Sequence, residues 1–159
     1  MSALAPRRQA LRVLGSLLAV ALVPAQARAQ GRTRVEVWKD PDCGCCQEWV
    51  HHLEASGFQV RIHPSGNQEA RGRLGIPVAL GSCHTALVGG YAIEGHVPAA
   101  DIRRLLRERP AAIGLAVPGM PVGSPGMDGP LYRGRKDAYA VLLVARDGST
   151  QVFQAYPRG

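Results

Sequence analysis

Three of the chain's four cysteines, Cys43, Cys45 and Cys46, fall within four consecutive residues around Gly44. Cys43 and Cys46 have the C-x-x-C spacing of a redox dithiol, and all three sulfurs are soft, ionisable ligands. The segment can therefore do thiol-disulfide chemistry or hold a metal ion. If it lies at a helix N-terminus, free backbone N–H groups and the positive end of the helix dipole favour thiolate over thiol, which raises nucleophilicity and metal affinity together. The fourth cysteine, Cys83, is followed by His84. A second group of soft donors lies in the stretch from Pro118 to Met127, where Pro-Gly-Met occurs twice and supplies Met120 and Met127. Thioether beside thiolate favours Cu(I) over hard ions. The competing use of such methionines is to fill gaps beneath a long loop.

The elements that must position these residues alternate along the chain. Arg34 to Trp38 reads as a strand with Val35 and Val37 inward, and Gln47 to Ser56 as a helix closed by Gly57, with Cys46, Val50 and Leu53 along one face. Phe58 to Ile62 is a second strand and Asn67 to Leu74 a second helix. Thr85 to Val88 and Tyr91 to Glu94 form a hairpin across Gly89-Gly90, a pair suited to a tight primed turn. Pro98 to Arg109 is a third helix with Ile102, Leu105 and Leu106 as its buried stripe. A Gly/Pro/Met loop over 114–130 follows, and then a C-terminal hairpin within 138–156, with strands at Ala138 to Ala145 and Thr150 to Phe153 across Asp147-Gly148.

Strand, helix, strand, helix, hairpin, helix is the thioredoxin-like order. The expected fold is α/β, a thioredoxin-like three-layer sandwich with a mixed sheet and an appended C-terminal β-hairpin. In that fold the cysteine motif follows the first strand, and a cis-proline loop faces it just before the terminal hairpin. Counting back from Gly89-Gly90 through Thr85 places that loop at Cys83-His84 and not at Pro77. Cys83 and His84 are thus expected against Cys43, Cys45 and Cys46. Pro77 itself is expected to be trans, because cis is found in only about 5–6% of X-Pro bonds.

The first 29 residues stand apart. Arg7, Arg8 and Arg12 precede an apolar run from Val13 to Val23, and Ala25-Gln26-Ala27 or Ala27-Arg28-Ala29 offers a small-x-small cleavage site. This reads as a cleaved signal peptide rather than an anchor, since the run falls short of the roughly 20 residues needed to span a bilayer. Pro6 to Arg12 also resembles a twin-arginine signal without its usual aromatic residue. A soluble, exported, periplasmic protein is expected, with no stable membrane insertion after cleavage and residues 30–159 as one domain. The whole chain has 19 Lys and Arg against 12 Asp and Glu; four of those arginines lie in residues 1–29, leaving 15 against 12, or +3. Arg103, Arg104, Arg107 and Arg109 are the one dense basic cluster left. They read as a solvated helix face, because neither interleaved aromatics nor a nucleic-acid motif accompanies them.

Four separated segments carry a family resemblance: Cys43-Gly44-Cys45-Cys46, Ser82-Cys83-His84-Thr85-Ala86, Glu94-Gly95-His96-Val97-Pro98, and Pro118-Gly119-Met120-Pro121 with Gly123-Ser124-Pro125-Gly126-Met127. In this order they resemble the family catalogued as domain of unknown function 411, which includes periplasmic CopG-type copper-resistance proteins. The resemblance runs from about Val35 to Phe153. It implies a thioredoxin-like fold, copper bound in a multinuclear copper-thiolate cluster, and a role in copper redox handling. Copper ions would be the partner, with periplasmic copper chaperones or efflux components as protein partners. Carried over, Cys43, Cys45, Cys46 and Cys83 become the cluster ligands, with His84, Met120 and Met127 as further candidates. One departure is Asp40-Pro41-Asp42, where Ser or Thr is the commoner pattern and two carboxylates would oppose thiolate formation. His96 reads as a supporting residue, and His51, His52 and His63 as surface or core-edge residues.

The residues leave other uses open. A thiol-disulfide oxidoreductase needs only Cys43 and Cys46 as its catalytic pair, although Cys45 and Cys83 would compete for any mixed disulfide. An exported domain can also join four cysteines as two structural disulfides, and four thiolates can hold Zn2+. Softness of the donor set favours Cu(I), either stored or turned over by a copper oxidoreductase.

Overall fold

A computed structural model describes residues 31–159, so the expected signal peptide lies outside the described residues. The chain forms β1 (Arg34–Lys39), α1 (Gly44–Ala55), β2 (Gln59–His63), α2 (Asn67–Arg73), β3 (His84–Val88), β4 (Tyr91–Glu94), α3 (Ala99–Glu108), β5 (Ala112–Ala116), β6 (Tyr139–Ala145) and β7 (Thr150–Tyr156). The strands make one mixed sheet in the order β2-β1-β3-β4-β5-β6-β7. β1 pairs parallel with β2 and antiparallel with β3, while β4 pairs parallel with β5. The architecture is mixed α/β, and β1 to β4 with the three helices follow the expected alternation.

Alternation along the strands sends neighbouring side chains to opposite faces. Val35, Val37, Ile93, Leu115 and Leu143 join Trp49, Val50 and Leu53 of α1 and Ile102 and Leu105 of α3 in the main core. Their neighbours Ala92, Ala116 and Val144 turn the other way and pack with Ile76, Leu74 and Leu80. Burial of a side chain such as Leu53, Ile102 or Leu105, each 0% exposed, stabilises the fold by about 1.5–3 kcal/mol.

Two boundaries differ from the sequence reading in ways that matter for the site. α1 begins at Gly44 and not at Gln47, with Cys43 as its N-cap. Gln47 N–H donates to the Cys43 carbonyl at 3.2 Å, closing a first turn that contains Cys45 and Cys46. The helix ends as expected before Gly57: Phe58 N–H reaches the Leu53 carbonyl and Gly57 N–H the Glu54 carbonyl, the paired bonds of a Schellman stop. The second difference is β5. The sequence assigned residues from 114 onward to the long loop, but the loop starts only at Val117. Gly114 lies so close to Ala92 that any added Cβ would overlap the Ala92 carbonyl. A strand built of Ala-Ile-Gly-Leu-Ala carries little β-propensity, and long-range pairing on both sides makes it one. Because β5 joins β4 to β6, the C-terminal hairpin extends the sheet instead of being appended to it.

The Gly89-Gly90 turn has φ of 56° and 87°, the left-handed pair of a primed hairpin turn. No peptide bond among the described residues is cis, so Pro77 is trans as expected. No helix among the described residues is long and apolar enough to cross a membrane. The α3 arginines have local partners: Arg104 bonds Glu108 at 2.7 Å and lies over the Phe153 ring, and Arg103 lies over Phe58.

Candidate metal centre

Strand register brings the site together. Lys39 pairs with His84, so the turn leaving β1 toward Cys43 lies beside the residue entering β3, Cys83. Thr85 pairs with Glu94, which sets Gly95 and His96 beside His84 and Cys83; Gly95 N–H donates to the His84 carbonyl at 3.0 Å. The chain beyond β5 then returns over both, with Val117 N–H bonded to the Glu94 carbonyl and Gly119 N–H to the Gly81 carbonyl.

Cys43 and Cys46 are joined as a disulfide, with Cα atoms 5.3 Å apart. Cys45 and Cys83 are free thiols. The arrangement of two structural bridges weighed from the sequence is therefore not the one formed: the sulfurs of Cys45 and Cys83 lie unbonded at 3.9 Å. Cys45 Sγ is also 3.6 Å from Cys43 Sγ, and all four sulfurs lie within 4.8 Å of one another. The helix explains the split. Cys43 and Cys46 are three residues apart across the first turn and share a face, whereas Cys45 is rotated about 100° from Cys46. Cys46 is accordingly buried in the core and Cys45 half-buried.

Cys83 is the hub of a second group formed with His84 and His96. Its Sγ lies 3.1 Å from His96 Nε2 and 3.4 Å from His84 Nδ1. His96 Nδ1 lies 2.8 Å from the Pro125 carbonyl. A carbonyl only accepts, so Nδ1 carries the ring proton and Nε2 presents a lone pair to the sulfur. His84 is wholly buried, packs on Trp49 at a ring distance of 4.3 Å, and has no hydrogen-bond partner for Nε2. Burial, and then the neighbouring His96, hold the His84 imidazole well below its usual range; burial lowers His96 as well. These shifts favour the neutral imidazole in both, the form that ligates metals. Burial first and Cys45 second push the Cys83 thiol up to about 12. That shift favours the protonated thiol in the metal-free protein.

The surroundings hold Cys83 in place. Glu94, 0% exposed, accepts from Ser82 N–H at 2.7 Å and from Thr85 Oγ1 at 2.7 Å, and pairs with Arg71 at 2.9 Å. Arg71 in turn donates to the Ser82 carbonyl at 2.6 Å, and Asn67 Nδ2 to the Cys83 carbonyl at 3.2 Å. Burial raises the Glu94 carboxyl above its ordinary range, opposed by its donors and by Arg71. On the other side, Asp40 spends a carboxylate oxygen on Asp42 N–H at 2.9 Å, and the buried Lys39 ammonium donates to the Asp40 carbonyl at 2.8 Å. The acidic pair before the motif is thus partly engaged in shaping the turn.

The two methionines part company. Met120 is half exposed and its Sδ is 3.9 Å from Cys45 Sγ. Met127 is nearly buried, and its Sδ accepts from the Tyr132 hydroxyl at 3.3 Å. Between them Gly126, at φ 85°, lies directly on α1: a Cβ there would stand 2.5 Å from the Cys45 carbonyl and 2.9 Å from Trp49 N. A groove of about 400 Å3 opens beside Cys45 between Glu48, Asp128, Leu131 and Tyr132. The remaining histidines lie elsewhere: His51 contacts Gln47, His52 Nε2 accepts from Ala99 N–H at the start of α3, and His63 stacks on Trp38 and bonds Glu36. Sequence reasoning missed the approach of His96 to Cys83 and the Glu94–Arg71 clamp. The hairpin register was the signal for the first, since Thr85 opposite Glu94 carries residues 95 and 96 to the cysteine, whereas Arg71 reaches Glu94 from α2, which the register does not place.

A family model described as "Protein of unknown function, DUF411" matches residues 80–127. The chain is similar to a solved structure named "Copper resistance protein copG- Form 2", with 48% identity and a TM-score of 0.74 over 79% of this chain and 99% of that one. A second, named "Copper resistance protein copG- Form 1", gives 49% identity and a TM-score of 0.73 over 79% of this chain and 98% of that one. No curated protein matches.

Proposed function

This chain belongs to the DUF411 family of CopG-type copper-resistance proteins, and from that premise we propose that it takes up copper as Cu(I) in a multinuclear thiolate cluster. Cys43, Cys45, Cys46 and Cys83 are the bridging ligands, available together once the Cys43–Cys46 disulfide is reduced. Thiolates bridge because each sulfur has several lone pairs, and soft donors select Cu(I) over harder ions. Copper is the cargo, gathered after export to the periplasm by residues 1–29 and exchanged there with copper chaperones or efflux components. The β2-β1-β3-β4 order, with the cysteine motif opening α1, supports a thioredoxin-like core for this protein.

One observation carries this reading. Cys45 is a free thiol 3.6 Å from Cys43 Sγ, 3.9 Å from Cys83 Sγ and 3.9 Å from Met120 Sδ. A dithiol enzyme has no use for sulfurs crowded about its C-x-x-C pair, whereas a copper cluster needs them. The test is anaerobic reduction of residues 30–159, titration with Cu(I), and measurement of metal stoichiometry, free thiols and insulin reduction. More than one copper per chain is expected, lost in Cys45→Ser and Cys83→Ser, with little reductase activity. Strong insulin reduction that survives both substitutions would sink the proposal.

The Cys43–Cys46 disulfide favours a second reading, a thiol-disulfide oxidoreductase in which these two residues exchange two electrons with a partner dithiol. The same titration separates them, because that enzyme keeps its activity without Cys45 and Cys83.

A further inference from the structure

Oxidation divides the sulfur set into two pairs with different fates. The bridge consumes Cys43 and Cys46, since thiolate is the metal-binding form of cysteine and a disulfide sulfur is a neutral, poor ligand. Cys45 and Cys83 stay free, 3.9 Å apart. Two metal-sulfur bonds of about 2.3 Å, the length of a zinc-thiolate bond, would meet across that separation at an angle of about 116°, close to that of a three-coordinate ion. Further donors stand beside each sulfur, His96 Nε2 at 3.1 Å from Cys83 Sγ and Met120 Sδ at 3.9 Å from Cys45 Sγ.

Cys83 and His96 do not depend on the bridge for their positions. Cys83 is held by Asn67 and by the Ser82–Glu94–Arg71 clamp, and His96 by the Pro125 carbonyl.

We infer that closing the Cys43–Cys46 bridge lowers the copper capacity of the chain without abolishing it, leaving one Cu(I) ion held between Cys45 and Cys83. The bridge then sets how much copper the protein holds, and a dithiol of the same compartment resets it. Both steps balance. Loading the oxidised chain exchanges one Cu+ for the two thiol protons of Cys45 and Cys83, with no electron transferred. Opening the bridge transfers two electrons and two protons from the dithiol, which leaves as its own disulfide. The inference rests on the copper reading above and adds to it a second, redox-selected state.

The test uses the exported chain purified without reductant, its single disulfide verified by intact mass after alkylation. Cu(I) is supplied anaerobically as its bicinchoninate complex. One Cu(I) per chain is expected, with both free thiols protected from iodoacetamide and the disulfide intact by mass. After reduction and removal of the reductant, the stoichiometry should rise above one. Cys45→Ser and Cys83→Ser should each abolish uptake by the oxidised chain, while Cys43→Ser/Cys46→Ser, which cannot close the bridge, should still take up one ion. An oxidised chain that takes no Cu(I) from bicinchoninate while the reduced chain takes several would overturn the inference and leave the cluster reading standing. Uptake by the oxidised chain that survives both Cys45→Ser and Cys83→Ser would also overturn it. Failure of both redox forms to take up Cu(I) would overturn the cluster reading as well.

Discussion

His96 Nε2 stands 3.1 Å from Cys83 Sγ, and the far nitrogen of the same ring is tied to the Pro125 carbonyl at 2.8 Å. The ring thereby links the long loop to the sulfur at the centre of the site. Its orientation is set from one end and used at the other, the usual arrangement for a histidine that serves a metal.

His96→Gln is therefore expected to weaken Cu(I) retention by about 10- to 100-fold, the usual penalty for disturbing such support. Competition against a chromophoric Cu(I) chelator measures it. An unchanged affinity in a folded variant would reduce His96 to packing.

Copper uptake should strengthen as pH rises. The Cys83 thiol is raised to about 12 in the metal-free protein, so binding at neutral pH must expel its proton. Below that value the apparent affinity gains about tenfold per pH unit from this one thiol. Proton release measured with a pH indicator during titration should show at least one proton per first ion. Stability of the metal-free chain has the opposite sign. A folded-state thiol raised above its ordinary value of 9.0 contributes stability that is complete below pH 9 and is lost as pH climbs toward about 12. Thermal melts of the apoprotein between pH 8 and 11 should fall accordingly.

Gly126→Ala places a methyl against the Cys45 carbonyl and the Trp49 amide in a left-handed backbone position. The expected destabilisation is about 1–3 kcal/mol, read by urea unfolding. Because the loop would have to lift from α1, copper should also exchange faster. A variant as stable as the parent would show that the loop does not seat on the helix.

The methionines should separate. Met120→Leu keeps the bulk of a half-exposed side chain and removes its sulfur, so stability should hold while Cu(I) dissociates faster. Met127→Ala empties a nearly buried position and should cost about 2 kcal/mol or more with little effect on first-ion affinity. Chemical denaturation and chelator-exchange kinetics on the two variants give the comparison. Equal effects on exchange would contradict the geometry.

Much of the frame was legible in local pattern. The C-x-x-C spacing, the glycine pair at 89 and 90, and the inward Val35 and Val37 each have a local physical cause, and counting back from the turn reached Cys83. β5 was not legible, because Ala112 to Ala116 contains little that prefers a strand until β4 and β6 flank it. The start of α1 was read three residues late, because cysteines in a first turn give a weak helix signal beside Gly44.

By itself, the sequence determined the soft character of the donors: four thiols, the Met120 and Met127 thioethers and neighbouring imidazoles. Tertiary structure decided how those donors are divided. Cys43 and Cys46 meet because a helical turn puts them on one face, but Cys45 reaches Cys83, and Cys83 reaches His96, only through pairings between distant strands. Likewise Met120 stands beside Cys45 while Met127 takes its bond from Tyr132, in a loop fastened at Gly119 and pressed onto α1 at Gly126. Contacts of this kind are set by register and close approach across the fold, which residue spacing along the chain does not encode.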